Sequence, residues 1–455
     1  MKPIQVGLLG IGVVGCGTFN VLQRNQEEIQ RRAGRGIRIT MVADLDVARA
    51  KNLVGADVQV VSDARAVIAN PDIDIIIELI GGYGIAKTLV LEAIAAGKHV
   101  VTANKALLAV HGTEIFAAAS AKGVMVAFEA AVAGGIPIIK ALREGLTANR
   151  IQWIAGIING TTNFILSEMR DKGLDFAVVL KEAQRLGYAE ADPTFDIEGV
   201  DAAHKATLMS AIAFGVPVQF DKAYIEGIAR LGAADIRYAE QLGYRIKLLG
   251  ITKRRAGDAA QGTTDGIELR VHPCLIPAKR LIANVEGAMN AVVVQGDAVG
   301  TTLYYGKGAG SEPTASAVIA DLVDITRLHT ADAAHRVPHL AFQPDSMSDL
   351  PVLPMGEVVT SYYLRLRVAD ETGVLARVTG ILAEAGISID AVLQREADEI
   401  GREVSADGQA LVPQTDVIIL THDCVEARMN AAIGQMQALP TVLEPITRIR
   451  KEELA

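Results

Sequence analysis

The sequence predicts an α/β protein with three domains, and three observations support this prediction. The chain has 455 residues, whereas a single hydrophobic core stops growing near roughly 250 to 300 residues. Strand and helix patterns alternate over residues 1–130, and a strand-rich α+β stretch follows over 131–305. Residues 359–455 show a short βαββαβ order. We expect a proline-containing linker at 340–358, and we expect the chain to return to the first domain over about 306–335.

The composition is typical of an ordered globular protein, with 50% hydrophobic, 21% charged and 4% aromatic residues. The net charge of -9 argues against nucleic acid or an anionic membrane surface as a partner. Neither a signal peptide nor a run of about 20 apolar residues is evident, so we expect no membrane association and a cytoplasmic location. Cys16, Cys274 and Cys424 lie far apart without a C-x-x-C pair, which predicts reduced thiols.

The first domain opens with a strand, a glycine-rich turn and a helix. The apolar run IQVGLL over residues 4–9 predicts the buried strand, and a long helical pattern follows the turn. In such a turn the first glycine permits a tight bend, the second lets backbone amides reach a pyrophosphate, and the third lets helix and strand pack closely. This pattern indicates a Rossmann domain that binds NAD or NADP through Gly10, Ile11, Gly12, Val13, Val14 and Gly15.

The choice between NAD and NADP depends on the end of the second strand, IRITMVAD, which finishes at Asp44. A carboxylate there binds both ribose hydroxyls and favours NAD. The alternative is an aspartate that only caps a turn at the strand end. Arg49 could instead serve the 2'-phosphate of NADP, so both cofactors stay open.

Two later strands place polar residues at the same mouth. The segments DIDIIIELIGG and KHVVTANK each end a strand of the predicted parallel sheet. Ligands of such sheets bind beyond the carboxyl ends of the strands. We therefore expect Gly81, Thr102 and Lys105 to lie at the cofactor, although a lysine after a strand is often only a solvated residue.

The second domain offers the acid and base groups that carbonyl reduction needs. A helix beginning near Asp201 reads DAAHKATLMSAIAFG, and Lys205 lies on the face of Asp201. The preceding loop supplies Glu190, Asp192 and Asp196. Reduction requires a proton donor at the carbonyl oxygen, and an amino-acid substrate requires a carboxylate for its ammonium group. The alternative is an ordinary helical salt bridge. We expect His204 to pack against its neighbours or to lie at the surface, and not to bind a metal.

Six segments together resemble the homoserine dehydrogenases over essentially the whole chain: GLLGIGVVG, VTANKALLA, FEAAVAGGIPI, GIINGTTNFIL, GYAEADPTFDIEGVDAAHK and GKGAGSEPTASAVIADL. The resemblance implies reduction of L-aspartate 4-semialdehyde to L-homoserine, a step in threonine, methionine and isoleucine biosynthesis. It implies Lys205 as proton donor, with Lys105 and Asp201 in the reacting centre. It implies Glu190 as a substrate-binding carboxylate, and we expect Lys105 and Asp196 to complete the substrate site.

The same resemblance implies two further sites. A monovalent cation, Na⁺ or K⁺, is expected at Glu129 and the backbone carbonyls of Val132, Gly134 and Ile136, unless Glu129 is a hinge carboxylate that binds backbone amides. Gly310, in the segment GKGAGSEPT, corresponds to a cofactor-contacting glycine. The sequence departs from the family at Asp44-Leu45, where many relatives carry an arginine, so we expect use of NAD or of both cofactors.

The C-terminal segment resembles the ACT domains, which have a ferredoxin-like fold and bind small amino acids at paired domains. The turn from Asp370 to Gly373 matches the usual ligand position, and the expected effector is threonine. The alternative is a dimerisation module without a ligand. Pairing of these domains predicts a homodimer or homotetramer, and deletion of 359–455 is expected to remove the threonine response while sparing activity.

Two other functions fit parts of the sequence. One is a reductase of a different small amino-acid-like compound, and the other is a regulatory protein that binds a dinucleotide without turnover. The second leaves the cluster from Glu190 to Lys205 without a purpose.

Overall fold

The first domain contains a six-stranded parallel sheet with helices on both faces. The protein is described by a computed structural model over residues 2–257, 264–332, 336–394 and 413–454. The strands are β1 (Ile4–Leu9), β2 (Ile37–Ala43), β3 (Gln59–Val61), β4 (Ile75–Glu78), β5 (His99–Thr102) and β6 (Val126–Ala127), in the order β3-β2-β1-β4-β5-β6. The helices are α1 (Val13–Arg24), α2 (Gln26–Ala33), α3 (Val47–Val54), α4 (Ala64–Ala69), α5 (Gly84–Ala95) and α6 (Lys105–Lys122).

The strand order brings the carboxyl ends of β1, β4 and β5 side by side. β1 pairs with β4 up to Leu9 and Glu78, and β4 pairs with β5 up to Glu78 and Thr102. The strand order reverses at β1, and ligands of doubly wound sheets bind at such a switch point. The predicted Rossmann fold is therefore confirmed, with its mouth formed by the loops after these three strands.

The central domain places one long helix against an antiparallel sheet. Its helices are α7 (Ile138–Lys140), α8 (Gly160–Lys172), α9 (Phe176–Arg185), α10 (Thr194–Ile197), α11 (Val200–Phe214) and α12 (Ala233–Gln241). Its strands are β7 (Ile151–Ile157), β8 (Tyr224–Ile225), β9 (Tyr244–Arg255), β10 (Gly266–Pro277), β11 (Met289–Gly296) and β12 (Gly300–Lys307). Every residue of α11 from Asp201 to Phe214 is buried. Because a helix that is apolar all round belongs in a core, the few polar side chains on α11 need a specific explanation.

After β12 the chain returns to the first domain as α13 (Ser311–Leu328), which packs along α1. The Ser311 hydroxyl donates to the Val13 carbonyl at 2.8 Å. Arg24 donates to both carboxylate oxygens of Glu312, at 2.8 and 3.1 Å. These contacts bring the segment before α13 to the glycine-rich turn.

The C-terminal domain has the ferredoxin-like order of elements. It consists of β13 (Val359–Ala369), α14 (Val374–Glu384), β14 (Ile389–Gln394), β15 (Gln414–Thr421), the short β16 (Cys424–Val425), α15 (Glu426–Gln437) and β17 (Thr447–Lys451). The strands lie in the order β17-β13-β15-β14. Two helices, α14 and α15, cover one face over a separate apolar core.

The C-terminal sheet continues the central sheet without a break. β17 pairs in parallel with β10, through Cys274 with Arg450 and Leu275 with Lys451. The strands of the two domains thus form one order, β12-β11-β7-β9-β10-β17-β13-β15-β14. The sequence had predicted an appended domain, whereas the structure shows a shared sheet.

Two simpler expectations concern the thiols and membrane association. Cys16, Cys274 and Cys424 are all free cysteines, as predicted. Within the described ranges, no helix has both the length and the apolar character that a membrane span requires.

Candidate active site

The polar centre of the molecule is built on the first turns of α11. The Lys205 ammonium donates to Asp201 Oδ2 at 2.7 Å and to the Ile158 carbonyl at 2.7 Å. Asn159 donates to Asp201 Oδ2 at 2.9 Å and to Asp196 Oδ1 at 2.7 Å. Lys205 and Asp201 are both buried, so this contact is not the surface salt bridge that the sequence left open.

Burial and charge shift the ionisation of this centre. Burial lowers the pKa of Lys205, although attraction to Asp201 opposes the shift. Burial alone would raise the pKa of Asp201, but Lys205 and Lys105 outweigh it and hold that pKa far below its usual range. Asp201 is therefore a fixed negative charge, while Lys205 loses its proton more readily than an ordinary lysine.

Lys105 reaches the same aspartate from the first domain. It is the first residue of α6, and its ammonium lies 3.1 Å from Asp201 Oδ1. Asn104 caps the helix by accepting from the Leu107 amide at 3.0 Å, and its amide group donates to the Gly82 carbonyl at 2.8 Å. The cap fixes the direction in which Lys105 leaves the helix. The two lysines and the aspartate thus join both domains at the mouth of the parallel sheet.

A buried glutamate that sequence reasoning missed organises this mouth. Glu78 ends β4 and is fully buried. Its Oε1 accepts from the amides of Ile80 and Gly81 at 2.8 and 3.0 Å, and its Oε2 accepts from the Thr102 hydroxyl at 2.7 Å. One carboxylate thereby fixes the loop after β4 against the end of β5. The only signal in the sequence is a charged residue that interrupts the apolar run DIIIELIGG.

Asn159 was missed as well. It lies in the segment GIINGTTNFIL, where its side chain also caps α8 by accepting from the Thr162 amide at 2.8 Å. The sequence motif was available, but a role in linking Asp196 to Asp201 depends on the packing of α8 against α10, which carries Asp196.

The glycine-rich turn fits a dinucleotide. Gly10 has a φ of 89°, and a side chain there would lie 2.9 Å from the Leu79 carbonyl. A side chain on Gly15 would lie 2.3 Å from the Gly10 carbonyl, so helix and turn touch as the motif predicts. A side chain on Gly12 would meet no atom within 4 Å. Gly12 instead faces a cavity of about 490 Å³, with Asp44 and Leu79 among its lining residues.

Asp44 and Arg49 both lie against this turn. Asp44 Oδ2 accepts from the Ile11 amide at 2.8 Å, and Oδ1 accepts from the Asp46 amide at 3.0 Å. The aspartate therefore performs the capping role that the sequence offered as the alternative, and a role toward ribose stays a prediction. The Arg49 guanidinium donates to the Ile11 carbonyl at 3.4 Å.

The segment that precedes α13, which includes Gly310, lies beside the candidate active site. Gly310 precedes the first residue of α13 and has a φ of 122°. The amide of Gly135 donates to the Lys307 carbonyl at 2.9 Å, so the segment lies between the glycine turn and the junction at 132–136. Gly310 is positioned as expected, and its contact with cofactor stays a prediction.

The loop before α11 gives a mixed result. Asp196 joins the centre through Asn159, and burial raises its pKa. Glu190 is exposed; only its carbonyl is held, by the Gln184 amide group at 3.0 Å. Among the described residues, its carboxylate has no hydrogen-bond partner.

His204, on α11, is fully buried. The centroid of its ring lies 5.3 Å from that of Phe195 and 4.3 Å from that of Phe220, which agrees with the expected packing role.

Glu129 lies at the junction of the two domains. Its two carboxylate oxygens accept from the amides of Ile139 and Lys140, at 3.0 and 2.8 Å, and its own amide donates to Asp321 at 2.8 Å. Burial, with the nearby Asp321, raises the pKa of Glu129 to about 7. The Ile136 carbonyl accepts from the Ile138 amide. The amide-binding alternative thus describes the contacts of Glu129, and the cation stays a prediction.

The turn predicted to bind an effector is exposed. Gly373 has a φ of 83° and precedes α14, and the amide of Asp370 donates to the Pro413 carbonyl at 2.7 Å. Both residues lie at the surface. A ligand at this turn stays a prediction.

Together, the doubly wound sheet, its glycine turn and the buried lysine-aspartate centre define a nicotinamide-dependent oxidoreductase. Family models for "Homoserine dehydrogenase, NAD binding domain", "Homoserine dehydrogenase" and "ACT domain" match residues 10–129, 137–323 and 362–415. The chain belongs to the homoserine dehydrogenase family. The match to an NAD-binding domain supports use of a nicotinamide cofactor, as the sequence predicted.

Similar proteins support this membership over the full length. The homoserine dehydrogenase of Pseudomonas aeruginosa is 60% identical, with 100% of each chain covered. That of Bacillus subtilis is 37% identical, with 99% of each chain covered. A solved homoserine dehydrogenase from Thiobacillus denitrificans has 63% identity and a TM-score of 0.92, over 100% of this chain and 99% of that one. One from S. aureus has 30% identity and a TM-score of 0.73, with 99% of each chain covered.

Proposed function

We propose that this enzyme reduces L-aspartate 4-semialdehyde to L-homoserine, with NADH or NADPH as the reductant, in threonine, methionine and isoleucine biosynthesis. The observation that supports this most strongly is the buried contact between Lys205, Asp201 and Lys105 at the mouth of the nicotinamide-binding sheet. Two ammonium groups around one carboxylate leave an excess positive charge, which favours the negative charge that develops on a carbonyl oxygen during reduction.

Lys205 is the proton donor in this scheme. Its lowered pKa brings the ammonium group closer to the pKa at which general acids work best. Asp201 and the Ile158 carbonyl hold the Lys205 ammonium in place. Lys105, which contacts Asp201 from the first domain, binds the carbonyl oxygen of the substrate. When bound, the reduced nicotinamide supplies the hydride that the carbonyl carbon accepts. The exposed carboxylate of Glu190, together with Asp196, receives the ammonium group of the substrate.

The direct experiment follows the oxidation of NADH or NADPH by absorbance after addition of L-aspartate 4-semialdehyde, and the reverse reaction with L-homoserine. Turnover with this pair and not with a panel of related aldehydes and hydroxy amino acids supports the proposal. Turnover with another member of the panel alone would identify a different reductase. Cofactor binding without any turnover would favour a regulatory protein.

The cofactor site is proposed to accept NAD or both cofactors. Asp44 stands at the end of β2 beside the glycine turn, and its negative charge disfavours a 2'-phosphate. Comparison of kcat/KM for NADH and NADPH tests this, and the variant Asp44→Ser should shift the ratio toward NADPH. A strong preference of the unaltered enzyme for NADPH would contradict it.

The effector of the C-terminal domain is proposed to be threonine, bound at the turn from Asp370 to Gly373. L-Threonine should then inhibit turnover, and Asp370→Asn should weaken the inhibition, with Asp390→Asn, also in this domain, as the control. Inhibition that is unchanged in Asp370→Asn would locate the effector elsewhere.

A monovalent cation is proposed at Glu129 and the carbonyls of Val132, Gly134 and Ile136. These oxygen atoms are the ligands that hard cations prefer, and a carboxylate that accepts two amides still has free lone pairs. The residues therefore fit Na⁺ or K⁺. Activity in sodium or potassium chloride, compared with choline chloride at equal ionic strength, tests the proposal.

The assembly is proposed to be a homodimer or homotetramer in the cytoplasm. Two described edge strands support association: β12 exposes Tyr305, and β14 exposes Val392. Unpaired strand edges of this kind favour pairing between copies. Light scattering after size exclusion measures the mass of the assembly, and a monomer would refute this part of the proposal.

We also propose the bounds of the domains. The nucleotide-binding domain covers residues 1–130, the catalytic domain covers 131–305 and the C-terminal domain covers 359–455, with 340–358 as the linker.

A further inference from the structure

A cavity lies between the central and C-terminal domains, away from the nicotinamide mouth. Its volume is about 900 Å³, within the range of small-molecule sites. One wall comes from the central domain and includes Glu198, Glu226 and Arg230. The opposite wall comes from the C-terminal domain and includes Arg448. The turn at Asp370 and Gly373 does not contribute to this cavity.

Most of the charges around the cavity neutralise one another. Glu226 Oε2 accepts from Arg448 at 3.2 Å and from Arg450 at 2.9 Å. The same two arginines donate to Glu426, Arg448 at 2.9 Å to Oε1 and Arg450 at 2.9 Å to Oε2. Two arginines and two glutamates thus form one balanced network across the domain boundary.

A third arginine of the lining is neutralised in the same way. Arg365 donates to both carboxylate oxygens of Asp235, at 2.6 and 3.2 Å, and Asp235 is fully buried. Arg365 is therefore not available to neutralise a ligand.

Two opposite charges of the lining remain. Arg230 and Glu198 are both exposed, and over the described ranges neither side chain has a hydrogen-bond or ion-pair partner. The apolar side chains of Ile433 and Ile446 complete the lining. One free guanidinium, one free carboxylate and an apolar wall match a carboxylate, an ammonium group and an apolar side chain on one small molecule.

The central wall of the cavity touches the segment that leads into α11. The amide of Ile228 donates to the Ile197 carbonyl at 2.8 Å. A side chain on Gly227 would lie 2.3 Å from the same carbonyl, so the two backbones are in close contact. In the sequence, Glu198 lies between Asp196 and Asp201. A ligand bound by Glu198 therefore contacts the chain three residues before Asp201 of the reacting centre.

We propose that this interdomain cavity binds a free α-amino acid with an apolar side chain, through Arg230 and Glu198, and that its occupancy alters the substrate site through residues 197–199. The site is distinct from the turn at Asp370 to Gly373. Binding at the cavity does not depend on the proposed reaction, whereas the effect on the substrate site rests on it.

The test uses the full chain and isothermal titration calorimetry without substrate or cofactor. The probes are L-valine, L-isoleucine and L-threonine, together with isobutylamine and isovalerate, which each lack one charged group of valine. The variants are Arg230→Met and Glu198→Gln, with Arg31→Met and Glu27→Gln on the exposed helix α2 as matched controls. All four positions are exposed, so the variants are expected to fold.

L-Valine or L-isoleucine should bind more tightly than L-threonine, the two truncated probes should bind much more weakly, and each cavity variant should lose about tenfold or more in affinity, as expected for a charged partner. The control variants should bind normally. Absence of binding by both L-valine and L-isoleucine, or unchanged affinity in both cavity variants, overturns the site. Loss of binding in Asp370→Asn with normal binding in Arg230→Met also overturns it.

The coupling is measured separately, as the KM for substrate with and without saturating amino acid. A change of about fivefold or more supports the coupling through 197–199, in the range of known allosteric effects. Confirmed binding with an unchanged KM and kcat overturns the coupling and leaves the binding site standing. A chain without turnover refutes the proposed reaction alone, since the calorimetry needs no catalysis.

Discussion

Replacement of Lys205 by methionine removes the ammonium group and keeps most of the side-chain volume. If Lys205 donates the proton in the reduction, its loss should lower kcat by about 10² to 10⁴. This corresponds to about 2.7 to 5.4 kcal/mol of activation free energy. The affinity for the nicotinamide cofactor should change little, since the partners of the Lys205 ammonium within the described ranges are Asp201 and the Ile158 carbonyl.

The same substitution also affects stability. Asp201 and the Ile158 carbonyl each lose a partner, and an unsatisfied buried acceptor costs about 1–3 kcal/mol. Lys105 still neutralises Asp201 from 3.1 Å, so we expect the lower part of this range. Urea denaturation measures the loss, and it separates a weakened fold from a lost proton donor.

A buried lysine elsewhere provides the control. Lys247 on β9 donates to Asn163 at 3.0 Å and to the Val285 carbonyl at 2.6 Å, and burial lowers its pKa to about 8. Lys247→Met should lower stability similarly while leaving kcat nearly unchanged. The reasoning is refuted if Lys205→Met keeps kcat within tenfold of the unaltered enzyme, or if Lys247→Met reduces kcat as much.

Other perturbations test the surroundings. Since burial lowers the pKa of Lys205, its ammonium form is lost at a lower pH than in an ordinary lysine, whose pKa is about 10.4. The reduction rate should therefore begin to fall before the pH reaches that value; a rate that stays constant up to that pH contradicts this. Glu78→Ala should destabilise the fold by about 1–3 kcal/mol and weaken NADH binding in a fluorescence titration, and unchanged affinity would exclude the positioning role. Burial raises the pKa of Glu129 to about 7, so the folded chain holds this proton more tightly than the unfolded chain, and stability present at acidic pH is lost as pH rises through 7. Tm should therefore fall from pH 5 to pH 8, less so in Glu129→Gln, and sodium chloride should restore more of the loss at pH 8 than choline chloride does. Deletion of 359–455 removes the β17 partner of β10 and exposes an apolar core that the central domain shares with Tyr363, Leu420 and Ile449, so the truncated chain should unfold or aggregate; a stable, active product would refute this.

The last prediction replaces one made from the sequence. The βαββαβ pattern indicated a separable sensing module, and its deletion was expected to spare activity. In the structure, β17 pairs with β10 and Arg450 bonds to Glu226 of the central domain. Hydrogen bonds between strands distant in sequence leave no mark in a local pattern. Point substitutions in the C-terminal domain are therefore the better test of regulation.

The active site also combines features that the sequence predicted with contacts that only the tertiary structure defines. The sequence placed Lys105 and Lys205 near one mouth because each follows a recognisable motif. The 3.1 Å contact between Lys105 and Asp201 depends on how two domains meet, and local spacing does not contain that information. Asn159 and Glu78 were missed for the same reason, since their partners Asp196 and Thr102 lie 37 and 24 residues away.

By itself, the sequence determined the class of fold, the order of the domains and the family, because glycine turns, apolar periodicity and ordered motifs are local properties of the chain. Tertiary structure alone decided the shared sheet, the burial of Lys205 and Asp201, and the cavity between the central and C-terminal domains. Each of these depends on which distant surfaces exclude water from one another, and burial determines both the ionisation of a group and the partners it must find.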